Sequence, residues 1–270
     1  MTSNYFLYSK NQSLKTLAYI LTILLQLLLI HNCHSQELKI MTYNIHHGTD
    51  VDGENTLNDI GEYIMESRID IVGLQEVDSI CERSNNIDQP EQLGKLTGLE
   101  HYFTRHFEYQ GGSYGQALLT KHQVSTVENV SLPVFPLSSG KSVSMLVATI
   151  IVDGKEITLA IAHLDYQSKE SRLYQISVLW NYLKNKNNNL VLMGDLNALP
   201  ESEEMKELRK NFNVFPHSYN DFTFPSVDPD RRIDFVMVRK NSDLKIVAEH
   251  IGDVKYSDHL PVVTRVECRK

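Results

Sequence analysis

The sequence predicts an α/β (α+β) domain made of two mixed β-sheets with helices on their outer faces. Two observations carry this reading: short apolar, β-prone runs outnumber amphipathic helical patterns, and several of those runs come as hairpins. No internal repeat, low-complexity tract or Pro/Gly-rich linker follows residue 36, so a single continuous domain is expected.

Taken in order, Leu38 to Tyr43 is a strand that delivers Asn44 at its end. Asn55 is placed to cap a helix with Leu57, Ile60, Ile64 and Met65 at helical spacing. Ile69 to Leu74 is a second strand, ending at Gln75-Glu76. Asp88-Gln89-Pro90 starts a short helix through about Leu96, and Gly98 ends it. Tyr114 to Thr120 and Val124 to Val130 read as a strand pair around Lys121-His122-Gln123. Ser142 to Val152 and Glu156 to Ala162 form a hairpin through Asp153-Gly154, and the second of these strands runs into His163. Ser168 caps a helix to Leu183. Leu190 to Met193 is a buried strand that stops at Gly194-Asp195-Leu196-Asn197. Glu201 to Lys210 is a surface helix, and Phe212 to Val227 an aromatic loop. Arg232 to Val238 is a strand carrying Asp234, Leu244 to Glu249 another, and Ser257-Asp258-His259 leads into a last strand, Leu260 to Val266.

The chain of 270 residues is 41% apolar and 22% charged, which suits a soluble domain with a sizeable core. Its first residues depart from that composition. Leu17 to Ile30 is apolar but for Thr22 and Gln26, follows Lys10 and Lys15 and precedes Cys33-His34-Ser35. This layout predicts a signal peptide over residues 1–35, cleaved near Ser35, with 36–270 exported to the periplasm, the exterior or a membrane surface. A membrane anchor competes, although a span needs about 20 apolar residues and this run is shorter. Lipid attachment at Cys33 is a third reading, against which Asn32 stands. Membrane contact is expected only through this segment, if it stays uncleaved.

Cleavage would remove Lys10 and Lys15 and no acid, taking the formal net charge from −8 to −10. An acidic surface does not draw in a polyanion, so bulk nucleic-acid binding is not favoured, although a bound divalent cation reverses the sign locally. Cys81 and Cys268 could form one disulfide, but no cysteine shows CxxC or zinc-ligand spacing.

Asn44, Glu76, His163, Asp195, Asn197, Asp234, Asp258 and His259 all fall at or beside strand ends. Carboxylate and amide oxygens are the ligands magnesium or manganese prefers, and two histidines add proton transfer or charge stabilisation. The set suits attack of an oriented water on phosphorus. GxxxxGKS is absent, so no P-loop is present. Blander roles stay open: Asp195 as cap of a helix near Pro200, Asn44 and Glu76 as turn residues, His163 as a structural histidine. Asp234 within an apolar strand needs a partner, because a buried carboxylate costs several kcal/mol unless paired, and Asp258-His259 supplies a candidate.

TYNIHHG (42–48), LQEVD (74–78), AHLD (162–165), GDLNALP (194–200), RRIDFVMV (231–238) and SDHLPVV (257–263) resemble the ordered motifs of the endonuclease/exonuclease/phosphatase superfamily. The resemblance runs from about residue 37 to the C-terminus. It implies a four-layer α/β/β/α sandwich, deoxyribonuclease I-like, with two packed mixed sheets. It also implies a magnesium site, with manganese as substitute, held by Glu76 with Asn44 and, at a second position, Asp258. Asp195 would orient or deprotonate water, Asn197 would hold a phosphate oxygen, His163 and His259 would stabilise the phosphoryl group, and Asp234 would fix His259. Arg83, Tyr114 and Gln116 are implied as contacts to substrate, Gln116 standing where relatives often carry asparagine.

The expected activity is therefore metal-dependent hydrolysis of a phosphomonoester or phosphodiester by water, on a small or lipid-linked substrate, by a monomer. A secreted nuclease is the alternative, with Arg231-Arg232, Phe222 and Phe224 as its modest candidate for backbone contact and stacking. A non-catalytic binding protein of the same fold is a second alternative. Loops 78–92, 105–114, 133–142 and 212–231 are where substrate choice is expected to lie.

Overall fold

Side chains of a strand point alternately to its two faces, and in this chain both faces of most strands are apolar, which calls for a layer of packing on each side. The computed structural model describes residues 36–136, 142–216, 218 and 221–269. The expected leader, anchor or lipid site over 1–35 and the middle of the 133–142 loop lie outside these residues. Among the described residues no helix is long and apolar enough to cross a membrane.

The elements run β1 (Gln36–Asn44), α1 (Leu57–Glu66), β2 (Ile71–Ser79), α2 (Gln89–Thr97), β3 (Glu100–Tyr109), β4 (Gly112–Thr120), β5 (Gln123–Pro133), β6 (Ser142–Val152), β7 (Lys155–His163), α3 (Lys169–Leu183), β8 (Leu190–Asp195), α4 (Glu203–Leu208), β9 (Phe212–Val214), β10 (Asp234–Arg239), β11 (Leu244–Ile251) and β12 (Val262–Cys268). They build two six-stranded sheets, ordered β11-β12-β1-β2-β4-β3 and β5-β6-β7-β8-β10-β9. Each sheet is mixed: β1 and β2 are parallel across the α1 crossover, β7 and β8 across α3, and the other registered pairs are antiparallel.

Three apolar clusters separate the four layers. Leu38 and Ile40 of β1, Ile157, Leu159 and Ile161 of β7, and Val191 and Met193 of β8 meet between the sheets. Met41, Tyr43 and Val72 pack under α1 and α2 through Ile60, Ile64 and Leu93. Leu190, Leu192 and Phe235 pack under α3 and α4 through Leu179, Leu183 and Met205. The architecture is the expected four-layer sandwich.

Several local expectations hold for the reasons given. Asp88 accepts from the Glu91 N–H and Gly98 closes α2 in the left-handed region, while Ser168 accepts from the Ser171 N–H at the start of α3. The β6–β7 turn places Asp153 and Gly154 at φ of 47° and 77°, as a two-residue hairpin requires.

Others need correction. Strand pattern located β4 and β5 but mispaired them: β4 lies between β2 and β3, and β5 joins β6 in the other sheet. Alternation in sequence identifies a strand, whereas its partner is set by tertiary packing. The strand β3 went unassigned because it is an edge strand whose side chains are mostly exposed or half-buried. Residues 105–114 are thus the β3–β4 hairpin rather than a loop, and the aromatic loop begins with β9. The cap position of α1 is Thr56, with Asn55 Oδ1 accepting from the Leu57 N–H at 3.3 Å. Asp195 caps no helix, since Ser202 caps α4. Cys81 and Cys268 are both buried and are not joined to each other by a disulfide.

Gly194 shows how closely the central strands approach. Its φ is +146°, and a Cβ built there would collide with the Ala162 carbonyl of β7. Gly194→Ala should therefore destabilise the protein by about 3 kcal/mol, the scale of overpacking against a fixed backbone. Urea unfolding checks this, and an unchanged midpoint would show that β7 and β8 can separate.

Candidate active site

The face that β1, β7, β8 and β10 turn toward the other sheet is apolar along its length and polar at one end. On β1 the series Leu38 and Ile40 ends in Asn44; on β7, Ile157, Leu159 and Ile161 lead to His163; on β8, Val191 and Met193 lead to Asp195. On β10 the series Val238 and Val236 runs back to Asp234. Register places His163 and Asp234 directly opposite Asp195 on its two neighbouring strands. Period two alone thus gathers four polar residues at one end of the inter-sheet core.

Glu76 arrives differently. Val72 and Leu74 face the helix layer, so continued alternation would send Glu76 the same way. Instead the β2–β4 register shifts between Leu74 and Val77, and Glu76 takes φ of 56°. The bulge turns its carboxylate to Asn44, whose Nδ2 donates to Glu76 Oε1 at 3.1 Å. His259 precedes β12 and is held by Ser257, which accepts from the His259 N–H and donates to the Asn44 carbonyl at 2.7 Å.

Asp195 is the hub. Its Oδ1 accepts from the Asn197 N–H at 2.9 Å, and its Oδ2 accepts from Asn44 Nδ2 at 3.2 Å, 3.5 Å from His163 Nε2 and 3.6 Å from His259 Nε2. Burial, then the Asp234 charge, raises its pKa above the ordinary carboxylate value, against the pull of His259 and His163. Burial pushes His259 down, but Asp234 and Asp195 outweigh it and lift the pKa to about 10. His259 is therefore an imidazolium, its Nδ1 donating to Asp234 Oδ2 at 2.9 Å. Glu76 is pushed up by burial, yet His163, the Asn44 bond, His259 and His46 together hold it below its usual value, so it is ionised.

Asp195, Asp234 and His259 offer ligand atoms within 4.8 Å of one another. With both carboxylates on one protonated imidazole, this trio is a buried ion-pair network. Glu76 and Asp258 line the open cleft beside Asp195, and Asp230, paired with Arg231, lies on its lining too.

The cleft has two lobes. The larger, about 800 Å³, holds Glu76, Asp195, Asn197, Asp258 and His259. The smaller, about 310 Å³, is lined by Arg83, His106, Phe107 and Tyr109, and Tyr114, His163 and Tyr166 belong to both. Burial, then the charge of Glu76, pushes the Tyr114 hydroxyl well above its ordinary pKa.

Four expected residues also make contacts within the protein. Asn44 Oδ1 accepts from the His46 N–H at 3.1 Å, and its Nδ2 faces Glu76 and Asp195. Asn197 lines the larger lobe, but its Nδ2 donates to the Leu164 carbonyl at 3.0 Å. Gln116 is wholly buried between the sheets, with its Nε2 on the Ser144 carbonyl, and does not line the cleft. Arg83, implied as a contact to substrate, lines the smaller lobe, and its Nε and Nη2 clasp buried Asp78 at 2.8 and 2.9 Å.

The lobe residues His106, Phe107, Tyr109 and Tyr166 escaped sequence reasoning. Their signal was the aromatic density of HYFTRHFEY at 101–109, which edge-strand alternation leaves unexplained. The Ser144 N–H donates to His106 Nδ1 at 2.7 Å, so a neutral ring carries its proton on Nε2. Burial, reinforced by His163, lowers the His106 pKa to about 3.

Compared with known proteins, residues 41–259 match the model of the Endonuclease/Exonuclease/phosphatase family. Similar solved structures include an endonuclease/exonuclease/phosphatase from Beutenbergia cavernae, 22% identical with a TM-score of 0.69 over 87% of this chain and 72% of that one. A mannosyl-6-phosphatase from Bacteroides thetaiotaomicron is 16% identical, with a TM-score of 0.67 over 85% and 99% of the two chains. The human nocturnin catalytic domain with bound sulfate is 20% identical, with a TM-score of 0.67 over 85% and 93%. At these identities the likeness is one of fold. A search of curated sequences gives no match.

The depressed pKa of His106 has a thermodynamic sign. Its contribution to stability is complete above pH 6.5, where the unfolded ring is also neutral, and is lost as pH falls toward about 3. Between those values His106→Gln should show a shallower loss of stability than the native chain, by up to about 1.4 kcal/mol per pH unit. Urea unfolding across pH 7 to 4 measures both slopes, and parallel slopes would mean that His106 is protonated in the fold.

Proposed function

Because the chain belongs to the endonuclease/exonuclease/phosphatase family, whose members hydrolyse phosphoester bonds, we propose that it is an exported, magnesium-dependent hydrolase of a small phosphoester. The observation that carries this reading is the buried Asp195 carboxylate, fixed by Asn44 and the Asn197 N–H and opening on a cleft lined by ionised Glu76 and by Asp258.

The donor set fits a hard divalent cation. Glu76 and Asp258 would hold it, with magnesium or manganese matched to their oxygens, and the cation would neutralise charge on the phosphoryl group and leaving oxygen. The rest of the chemistry falls to the chain itself. Asp195, with its pKa raised, is placed to accept the proton of an attacking water. His259, kept protonated by Asp234 and Asp195, donates from Nε2 toward the phosphoryl oxygens, and His163 faces the same lobe. Asn44 holds Asp195 and Glu76 in fixed relation by donating to both.

A small substrate is favoured over nucleic acid. The net charge is −8, and the arginines that would grip a phosphate backbone are engaged: Arg232 is buried against Glu249, and Arg231 pairs with Asp230 at 2.7 Å.

Product release from phosphomonoesters, a phosphocholine lipid and supercoiled DNA, with magnesium and with EDTA, tests the reading. Asp195→Asn should lower kcat about 1,000-fold. Glu76→Gln should raise the magnesium needed for half-maximal rate at least about tenfold. An unchanged metal titration in Glu76→Gln would remove that residue from the metal site, and plasmid cleavage faster than monoester hydrolysis would replace the small substrate with DNA.

A further inference from the structure

The aromatic side chains of the smaller lobe are not explained by folding. Phe107, Tyr109, Tyr114 and Tyr166 belong to none of the three apolar cores, and Phe107 and Tyr166 are 46% and 73% exposed. Phe107 lies 5.2 Å from Tyr114 and 6.4 Å from Tyr109, centroid to centroid, so their rings form one wall. Large apolar groups gathered in one exposed concavity point to a ligand.

Polar donors stand among these rings. Arg83 is held rigidly by Asp78, its guanidinium lies 4.6 Å from the Tyr109 ring centroid, and its Nη1 is not engaged by Asp78. His106 lines the same lobe, and its Nε2 proton has no partner among the described residues. Asp78 balances the Arg83 charge, His106 is neutral and Asp165 adds an acidic side chain to the lining, so the lobe offers hydrogen-bond donors without an excess of positive charge. That suits hydroxyl, ether or carbonyl oxygens rather than a second phosphate. A volume of about 310 Å³ accommodates a single small group rather than a run of polymer.

The lobe meets the larger one at Tyr114, His163 and Tyr166, so a group attached to a phosphate beside Asp195 extends into it without leaving the cleft. Resting on the hydrolase reading above, we propose that this lobe binds the organic group of the substrate, and that this group is an oxygen-bearing ring, the sugar of a hexose phosphate or of a nucleotide. Its flat face stacks on Tyr109, Phe107 and Tyr166, while Arg83 and His106 donate to its oxygens.

The test compares glucose 6-phosphate and AMP with glycerol 3-phosphate, which keeps the phosphomonoester and lacks the ring. In the native chain kcat/KM should favour a ring substrate, and the preferred one identifies the source of the sugar. Tyr166→Ala and Arg83→Lys should lower the ratio of ring to ringless kcat/KM at least about tenfold, through KM rather than kcat. Tyr166 is exposed enough to truncate without disturbing the core, and melting curves check the folding of both variants. An unchanged ratio in both variants overturns the proposal, as does a preference for glycerol 3-phosphate.

Calorimetric binding of glucose 6-phosphate and AMP in EDTA gives a readout free of turnover. Binding that weakens at least about tenfold in the variants without hydrolysis by the native chain would uphold the lobe and sink the hydrolase reading. Hydrolysis without preference for a ring, and no binding of either probe, would do the reverse.

Discussion

The two sheets touch through a hydrogen bond from Asn44 on one to Asp195 on the other, between residues 151 positions apart. Everything else in the site is arranged around the cost of burying that carboxylate. An ionised group inside a protein costs several kcal/mol unless neighbours replace its water. Here the replacement comes from Asn44, the Asn197 N–H, His163 and His259, drawn from four separate parts of the chain. The apolar core between the sheets excludes water from behind the group, and the strand ends leave its front open to the cleft.

Environment divides similar side chains into different parts. Asp195 is a buried carboxylate and Glu76 a half-buried one, but the first has Asp234 beside it and is pushed up, whereas the second is surrounded by histidines and an amide donor and is held down. His259 and His106 divide in the same way. His259 sits on two carboxylates and keeps its proton up to about pH 10; His106 has only Ser144, other rings and His163 around it and stays neutral down to about 3. One lobe thus gathers the charged groups suited to a phosphoryl group, and the next is walled by aromatic rings and suited to what that group is attached to.

The secondary features serve this division. The bulge after Leu74 turns Glu76 from the helix face into the cleft, and the open angle at Gly194 lets β8 lie against β7 so that Asp195 stands opposite His163. The β3–β4 hairpin rises at the sheet edge and carries His106, Phe107 and Tyr109 to the rim, where an edge strand is free to present them.

The sequence alone determined the layers and most of the polar set. Both depend on short-range periodicity: alternation writes two apolar faces into β1, β7, β8 and β10, and Asn44, His163, Asp195 and Asp234 interrupt the inward face where each strand meets the site. Glycine and capping chemistry at Asp153-Gly154, Asp88 and Gly98 was equally local, and so equally legible. What the tertiary structure decided is non-local. Strand partners, and with them the separation of β4 from β5, follow from packing that periodicity does not encode. The amide of Asn44 donates to both Glu76 and Asp195, Gln116 is buried between the sheets, and Arg83 is held by Asp78 buried beneath it. The aromatic lobe became visible only when the edge strand β3 was set beside Arg83 and His163, because a pocket is a relation among distant segments and no single segment carries its pattern.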